Sequence, residues 1–205
     1  DLGPETAETF TFGVVVEPLD GLSFTVDYYT MEIDNVISAL GVGSRLDKCY
    51  SAGSTGGVGG SNVFCDSVNR NAVGDFDGIR ATRENLSTWE LEGVDLNAQY
   101  GFDAAGLEWR LDWEASYIKT WDIVAFEGEE AEKQVGIGFS GSGSVPEWKH
   151  NFGAQVAGED WTIAYKMLWI DELVTESVAN GSAQPEDVFA PKADAFSSHT
   201  ISGSY

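Results

Sequence analysis

Leu107-Glu108-Trp109-Arg110-Leu111-Asp112-Trp113-Glu114-Ala115-Ser116-Tyr117 decides how this chain folds, because it alternates between two chemistries without a slip. Leu107, Trp109, Leu111, Trp113, Ala115 and Tyr117 share one parity, and Glu108, Arg110, Asp112, Glu114 and Ser116 share the other. Successive side chains of an extended strand point to opposite faces, so one face of this strand is apolar and the other hydrated. The eleven residues, at roughly 3.3 Å each, reach about 36 Å, and a tilt near 45° lowers this to about 25 Å, the height of the apolar band of a transmembrane barrel.

A single strand of a soluble sandwich alternates as well, so recurrence is what matters. The pattern recurs. Residues 9–17 place Phe10, Phe12, Val14 and Val16 on one row, and a Pro18-Leu19-Asp20-Gly21 turn follows. From Leu22, the row Leu22, Phe24, Val26 and Tyr28 opposes Ser23, Thr25, Asp27 and Tyr29, until the parity breaks at Met31 and Ile33, where the strand is expected to leave the membrane or bulge. Residues 92–100 set Val94, Leu96, Ala98 and Tyr100 against Asp95, Asn97 and Gln99. Residues 148–156 set Trp148, His150, Phe152, Ala154 and Val156 against Lys149, Asn151, Gly153 and Gln155. From Trp161, the row Trp161, Ile163, Tyr165, Met167 and Trp169 opposes Thr162, Ala164, Lys166 and Leu168, and a seventh strand starts at Ser198.

The connections run short, long, short, long, short, long, with long segments at 38–88, 122–146 and 171–196. Outer-membrane barrels have this rhythm, with short periplasmic turns and long extracellular loops. The expected fold is all-β: an antiparallel meander forming part of a large transmembrane barrel. Phe10, Phe12, Phe24, Val26, Trp109, Leu111, Trp113, Tyr117, Phe152, Ile163, Tyr165 and Met167 are expected to face outer-membrane lipid. Asp27, Tyr29, Asp95, Asn97, Gln99, Glu108, Arg110, Asp112, Glu114, Lys149, Asn151, Gln155 and Lys166 are expected to face a wet lumen. Trp148, Trp161 and Trp169 fall at strand ends, where aromatic girdles belong.

Composition narrows the function. With 34 acidic residues against 11 basic ones, the chain cannot neutralise phosphates, which excludes nucleic acid as a partner. No run of eighteen apolar residues offers a membrane helix. No GxSxG, HExxH or Cys/His dyad is present, so no catalytic residue, metal or cofactor is expected. Asp75-Phe76-Asp77-Gly78 lacks the later ligands of a calcium loop and reads as a plain turn. Gly136 to Gly143 does not open a helix as a phosphate cradle would, and His150 on an apolar row suits an interface better than a metal. Cys49 and Cys65 are either free thiols or, as expected in an oxidising compartment, a disulfide worth about 3 kcal/mol that staples an extracellular loop.

Several stretches resemble the barrel domain of TonB-dependent outer-membrane receptors. Gly3-Pro4-Glu5-Thr6-Ala7-Glu8-Thr9-Phe10-Thr11-Phe12-Gly13 is similar to the K-P-E-T-S-x-x-Y-T-x-G opening of that family's late strands. Val26-Asp27-Tyr28-Tyr29-Thr30-Met31-Glu32-Ile33-Asp34-Asn35-Val36-Ile37 resembles its D-Y-Y-x-I-x-I-x-x-x-I segment. Cys49-Tyr50, Phe64-Cys65, Asn85-Leu86 and Glu92-Gly93-Val94-Asp95-Leu96 follow its C-Y, F-C, N-L and x-G-V-D-L series in order. The resemblance implies a late portion of a 22-stranded plugged barrel, with residues 1–205 a single partial domain and the plug and closing strands elsewhere. It further implies an outer-membrane location, TonB-dependent uptake of a scarce ligand such as an iron-siderophore, cobalamin or an oligosaccharide, and contact with the TonB complex through the plug. The alternatives are a soluble extracellular carbohydrate-binding β-sandwich, which would seal Trp109, Trp113 and Tyr165 in a dry core, and an acidic hydrolase working through Glu108, Asp112 or Glu114.

Overall fold

A computed structural model describes residues 2–39, 41–50, 64–80, 82–125, 130–140 and 143–205. In chain order the elements are β1 (Thr6–Leu19), β2 (Leu22–Ala39), α1 (Val42–Tyr50), a 3-10 turn (Cys65–Ser67), β3 (Val68–Arg70), β4 (Phe76–Ile79), β5 (Arg83–Ala104) and β6 (Leu107–Val124). There follow β7 (Glu132–Lys133), β8 (Ile137–Ser140), β9 (Gly143–Val145), β10 (Trp148–Ala157), β11 (Thr162–Ile170), β12 (Leu173–Thr175), α2 (Glu176–Ala179), a second 3-10 turn (Pro185–Asp187), β13 (Lys192–Ala193) and β14 (Phe196–Ser204).

The main sheet runs β1-β2-β5-β6-β10-β11-β14, with β7 paired to β6. Neighbours on this path are also the next long strands in sequence, so the sheet is a meander. The turns at Asp20-Gly21 and Ala105-Gly106 are two residues long, and Gly21 and Gly106 take φ of 78° and 74°, conformations that glycine adopts without the clash a Cβ would cause.

Several strands outrun their expected ends. β2 does not end after Thr30 but continues to Ala39, with Asn35 at a φ of 56°; asparagine tolerates the left-handed region because its side chain can bond locally. β5 starts at Arg83 rather than near residue 92, and β6 continues to Val124. The expected turn at 75–78 falls mostly within β4, which pairs with β3. The two later long segments hold the short strands of a four-stranded sheet, β13-β12-β8-β9.

Contacts gather the chain into two compact units. The first comprises Asp1–Thr6, Ile33–Thr88 and Val124–Glu130. Here Cys49 and Cys65 are bonded to each other, with their Cα atoms 4.8 Å apart. The Arg45 side chain, 1% exposed, donates to Glu84 Oε1 and to the Thr82 carbonyl at 3.1 Å each. Asn85 donates to the carbonyls of Gly3 and Asn35 at 3.0 and 2.7 Å and accepts from the Gly3 amide at 2.7 Å. The second unit comprises Ala7–Glu32, Trp89–Ile123 and Ala131–Tyr205. Among the described residues the only buried hydrophobic side chains are Val36, Cys49, Ala115 and Val145. Trp109, Trp113 and Tyr165 are half-buried, not sealed as a sandwich core requires.

Candidate functional site

In the second unit the two parities become two faces, because register aligns them from strand to strand. Opposite β6, β10 pairs His150 with Ala115, Phe152 with Trp113, Ala154 with Leu111 and Val156 with Trp109. One residue out of step, Asn151 pairs with Glu114, Gly153 with Asp112 and Gln155 with Arg110. The next strand keeps the phase: Phe152 lies opposite Met167 and Ala154 opposite Tyr165, whereas Gly153 lies opposite Lys166. β14 closes the path with Tyr165 opposite Ile201 and Lys166 opposite Thr200.

The apolar face carries rings in contact. Tyr117 and Trp148 lie 4.6 Å apart, Trp148 and His150 5.3 Å, His150 and Trp169 5.2 Å, and His150 and Trp113 6.0 Å. Toward the Ala105-Gly106 turn, Tyr100, Phe102 and Trp109 make a second group, with centroids 4.7 and 6.2 Å apart. Phe152 and Tyr165 lie between the two groups at 6.3 Å. The Tyr165 hydroxyl meets His199 Nδ1 at 2.7 Å. Phe10, Phe12, Phe24, Val26 and Ile163 are exposed.

Sequence parity alone missed a break in this face. Tyr28, on an expected apolar row, donates to Glu92 Oε1 at 3.0 Å, and Lys119 Nζ reaches the same oxygen at 2.9 Å. Glu92 stands two residues before Val94, and Lys119 two after Tyr117, so both continue apolar rows. A polar trio across β2, β5 and β6 thus interrupts the apolar rows. Opposite charges at the same end of adjacent rows were the available signal.

The polar face gathers charged and amide side chains from neighbouring strands. Ser116 Oγ donates to Asp95 Oδ1 at 2.7 Å. A hollow of about 350 Å³ is lined by Asp27, Asp95, Asn97, Glu114, Ser116, Lys149 and Asn151, bringing together expected lumen residues from β2, β5, β6 and β10. A larger hollow of about 860 Å³ is bordered by Glu17, Gln99, Arg110, Asp112, Glu114 and the Pro18–Gly21 turn. Glu108, Arg110 and Gln155 share a third. Tyr29 lies over Gly93 of β5. Lys166 lies on the same row as Gly153 and Asp112 without lining any of the three. Carboxylates, amides, ammonium groups and a guanidinium along one wall can exchange hydrogen bonds with a passing hydrophilic solute at many successive points.

No protein with a curated description matches the chain. Among solved structures, a mutant of the ferric enterobactin receptor of Pseudomonas aeruginosa matches with a TM-score of 0.54 at 16% identity, over 97% of this chain and 23% of that one. The likeness shows the fold, and the chain spans about a quarter of that receptor's length. The family model for the TonB-dependent receptor-like β-barrel matches residues 1–205. Over its whole length, and with a meander of alternating strands as its main sheet, the chain belongs to the β-barrel family of TonB-dependent receptors.

Proposed function

We propose that this chain is part of the wall of an outer-membrane active transporter that takes up a scarce ligand with energy from the TonB complex, delivered through a plug domain carried elsewhere in the protein. The observation that carries the reading is the separation of faces: strand after strand in register, one face apolar and ringed with aromatics, the other hydrophilic, and among the described residues almost no side chain sealed between layers. Lipid solvates the first face and water the second. In this reading the long connections capture ligand outside, and Asp27, Asp95, Asn97, Arg110 and Lys166 line its route.

The ligand class is an iron-siderophore, cobalamin or an oligosaccharide. The deciding experiment measures accumulation of radiolabelled ferric siderophores, cobalamin and maltooligosaccharides in cells carrying or lacking the full-length receptor, with and without an intact TonB complex. Accumulation of one class, lost when either receptor or TonB is removed, supports the proposal. Uptake that persists without TonB, or no accumulation of any class, contradicts it.

A further inference from the structure

Almost nothing in the main sheet is buried, yet two of its glycines are: Gly93 in β5 and Gly153 in β10. Each is covered by a side chain from an adjacent strand. A Cβ placed on Gly153 would lie 2.6 Å from Asp112 Cγ, with both carboxylate oxygens nearer still, so Asp112 lies flat across the backbone of its register partner. A Cβ on Gly93 would lie 2.6 Å from Tyr29 Cζ and 2.7 Å from the Tyr117 carbonyl oxygen. The Tyr29 side chain therefore starts on β2 and lies over the glycine of β5, beside the β6 backbone at Tyr117. Gly13 on β1 repeats the arrangement at the exposed edge, with Asp27 Cγ 3.2 Å from where a Cβ would stand and a carboxylate oxygen closer.

All three glycines fall on the polar face, and all three covering side chains belong to it. The apolar rows of the main sheet carry one glycine, Gly203 in β14, and a Cβ there would meet only the Thr162 carbonyl oxygen, at an ordinary 3.6 Å. Close packing tolerates no such overlap, so a methyl group at Gly13 or Gly153 would displace its cover, and one at Gly93 would press on the Tyr117 carbonyl as well as on Tyr29.

We propose that Gly13, Gly93 and Gly153 are positioning residues of the conduit: each is a slot that lays one side chain of a neighbouring strand flat, keeping the bulk of Asp27, Tyr29 and Asp112 out of the passage. Their polar atoms stay at the wall surface, where a hydrophilic solute can meet them, while the bore remains wide. The inference rests on the polar face being the inner one, as proposed above.

The test places a thiol in a slot. Asp112→Cys is made in the full-length receptor with Gly153 retained and with Gly153→Ala, and outer-membrane vesicles are treated with a charged methanethiosulfonate; Cys49 and Cys65 are bonded to each other and do not compete. Heat-modifiable migration on gels establishes that the compared barrels are folded. The thiol is expected to react several-fold faster in the Gly153→Ala background, because the added methyl group has lifted it from its slot. Equal rates in the two backgrounds overturn the slot. Reaction confined in both to a lipid-soluble maleimide overturns instead the inward assignment beneath it. Asp27→Cys with Gly13→Ala repeats the measurement independently and decides the matter if the Gly153→Ala variant does not fold.

Discussion

At the scale of single residues, chemistry switches between consecutive positions. Leu111 and Glu114 sit on opposite faces of β6, and each is surrounded by its own kind across β10, Leu111 beside Ala154 and Glu114 beside Asn151. Leu111→Arg is expected to cost about 2–4 kcal/mol, the penalty for a cation near mid-depth on a lipid face, whereas Glu114→Arg on the hydrated wall should stay within about 0.5 kcal/mol. Guanidinium unfolding of the protein refolded in lipid vesicles measures both. Arg45 poses a different residue problem, since its buried guanidinium holds Glu84 and the Thr82 carbonyl. Glu84→Ala, which strips a charged partner from a buried donor, is expected to cost about 1–3 kcal/mol by the same measurement. The rows themselves were legible in the sequence, because period two needs only the chain. The glycine slots were not, because each depends on which residue of one strand lies beside which residue of the next, and the Tyr28–Glu92–Lys119 trio left only the signal of opposite charges on adjacent rows.

At the scale of elements, strand interiors and the ends of β10 and β11 could be read, and the far ends of β2, β5 and β6 could not. Alternation marks a strand only where its two faces see different solvents. Arg83 to Glu90 of β5 and Ile118 to Val124 of β6 lack a clean apolar row, so the pattern faded while the hydrogen-bonded ladder continued. β3, β4, β7, β8, β9, β12 and β13 are two to four residues long, too short for any period to register. The cysteine pair was legible, and the bond closes between α1 and the 3-10 turn at a sequence separation of 16. Replacing both cysteines by serine is expected to remove about 3 kcal/mol of chain-entropy stabilisation from that unit. Hydrogen exchange should then quicken in α1 and the turn while β6 and β10 amides keep their protection. Faster exchange in β6 and β10 as well would show that the staple supports the main sheet rather than the loop.

At the scale of the molecule, the balance between core and surface distinguishes this chain from a water-soluble domain of its length, which would bury roughly 70% of the surface its unfolded form exposes. Here buried hydrophobic side chains among the described residues are four, while Phe10 and Phe12 stand 58% and 60% exposed on an apolar row. The path of the sheet also ends on β1 at one side and β14 at the other, and open edges invite pairing with other chains. Without detergent or lipid the chain is therefore expected to aggregate on size-exclusion chromatography despite its net charge of -23, and a monodisperse water-soluble monomer would contradict the barrel account. The most direct examination of that account is a nitroxide scan of residues 107–117 in lipid vesicles, comparing collision with oxygen, which concentrates in acyl chains, and with a nickel chelate, which stays in water. Oxygen accessibility should peak at Leu107, Trp109, Leu111, Trp113, Ala115 and Tyr117 and nickel accessibility at the residues between them, the two curves rising and falling in opposition. Low oxygen and nickel accessibility together at Trp109, Leu111 and Trp113 would place that row inside a dry core and contradict the claim that lipid is its solvent.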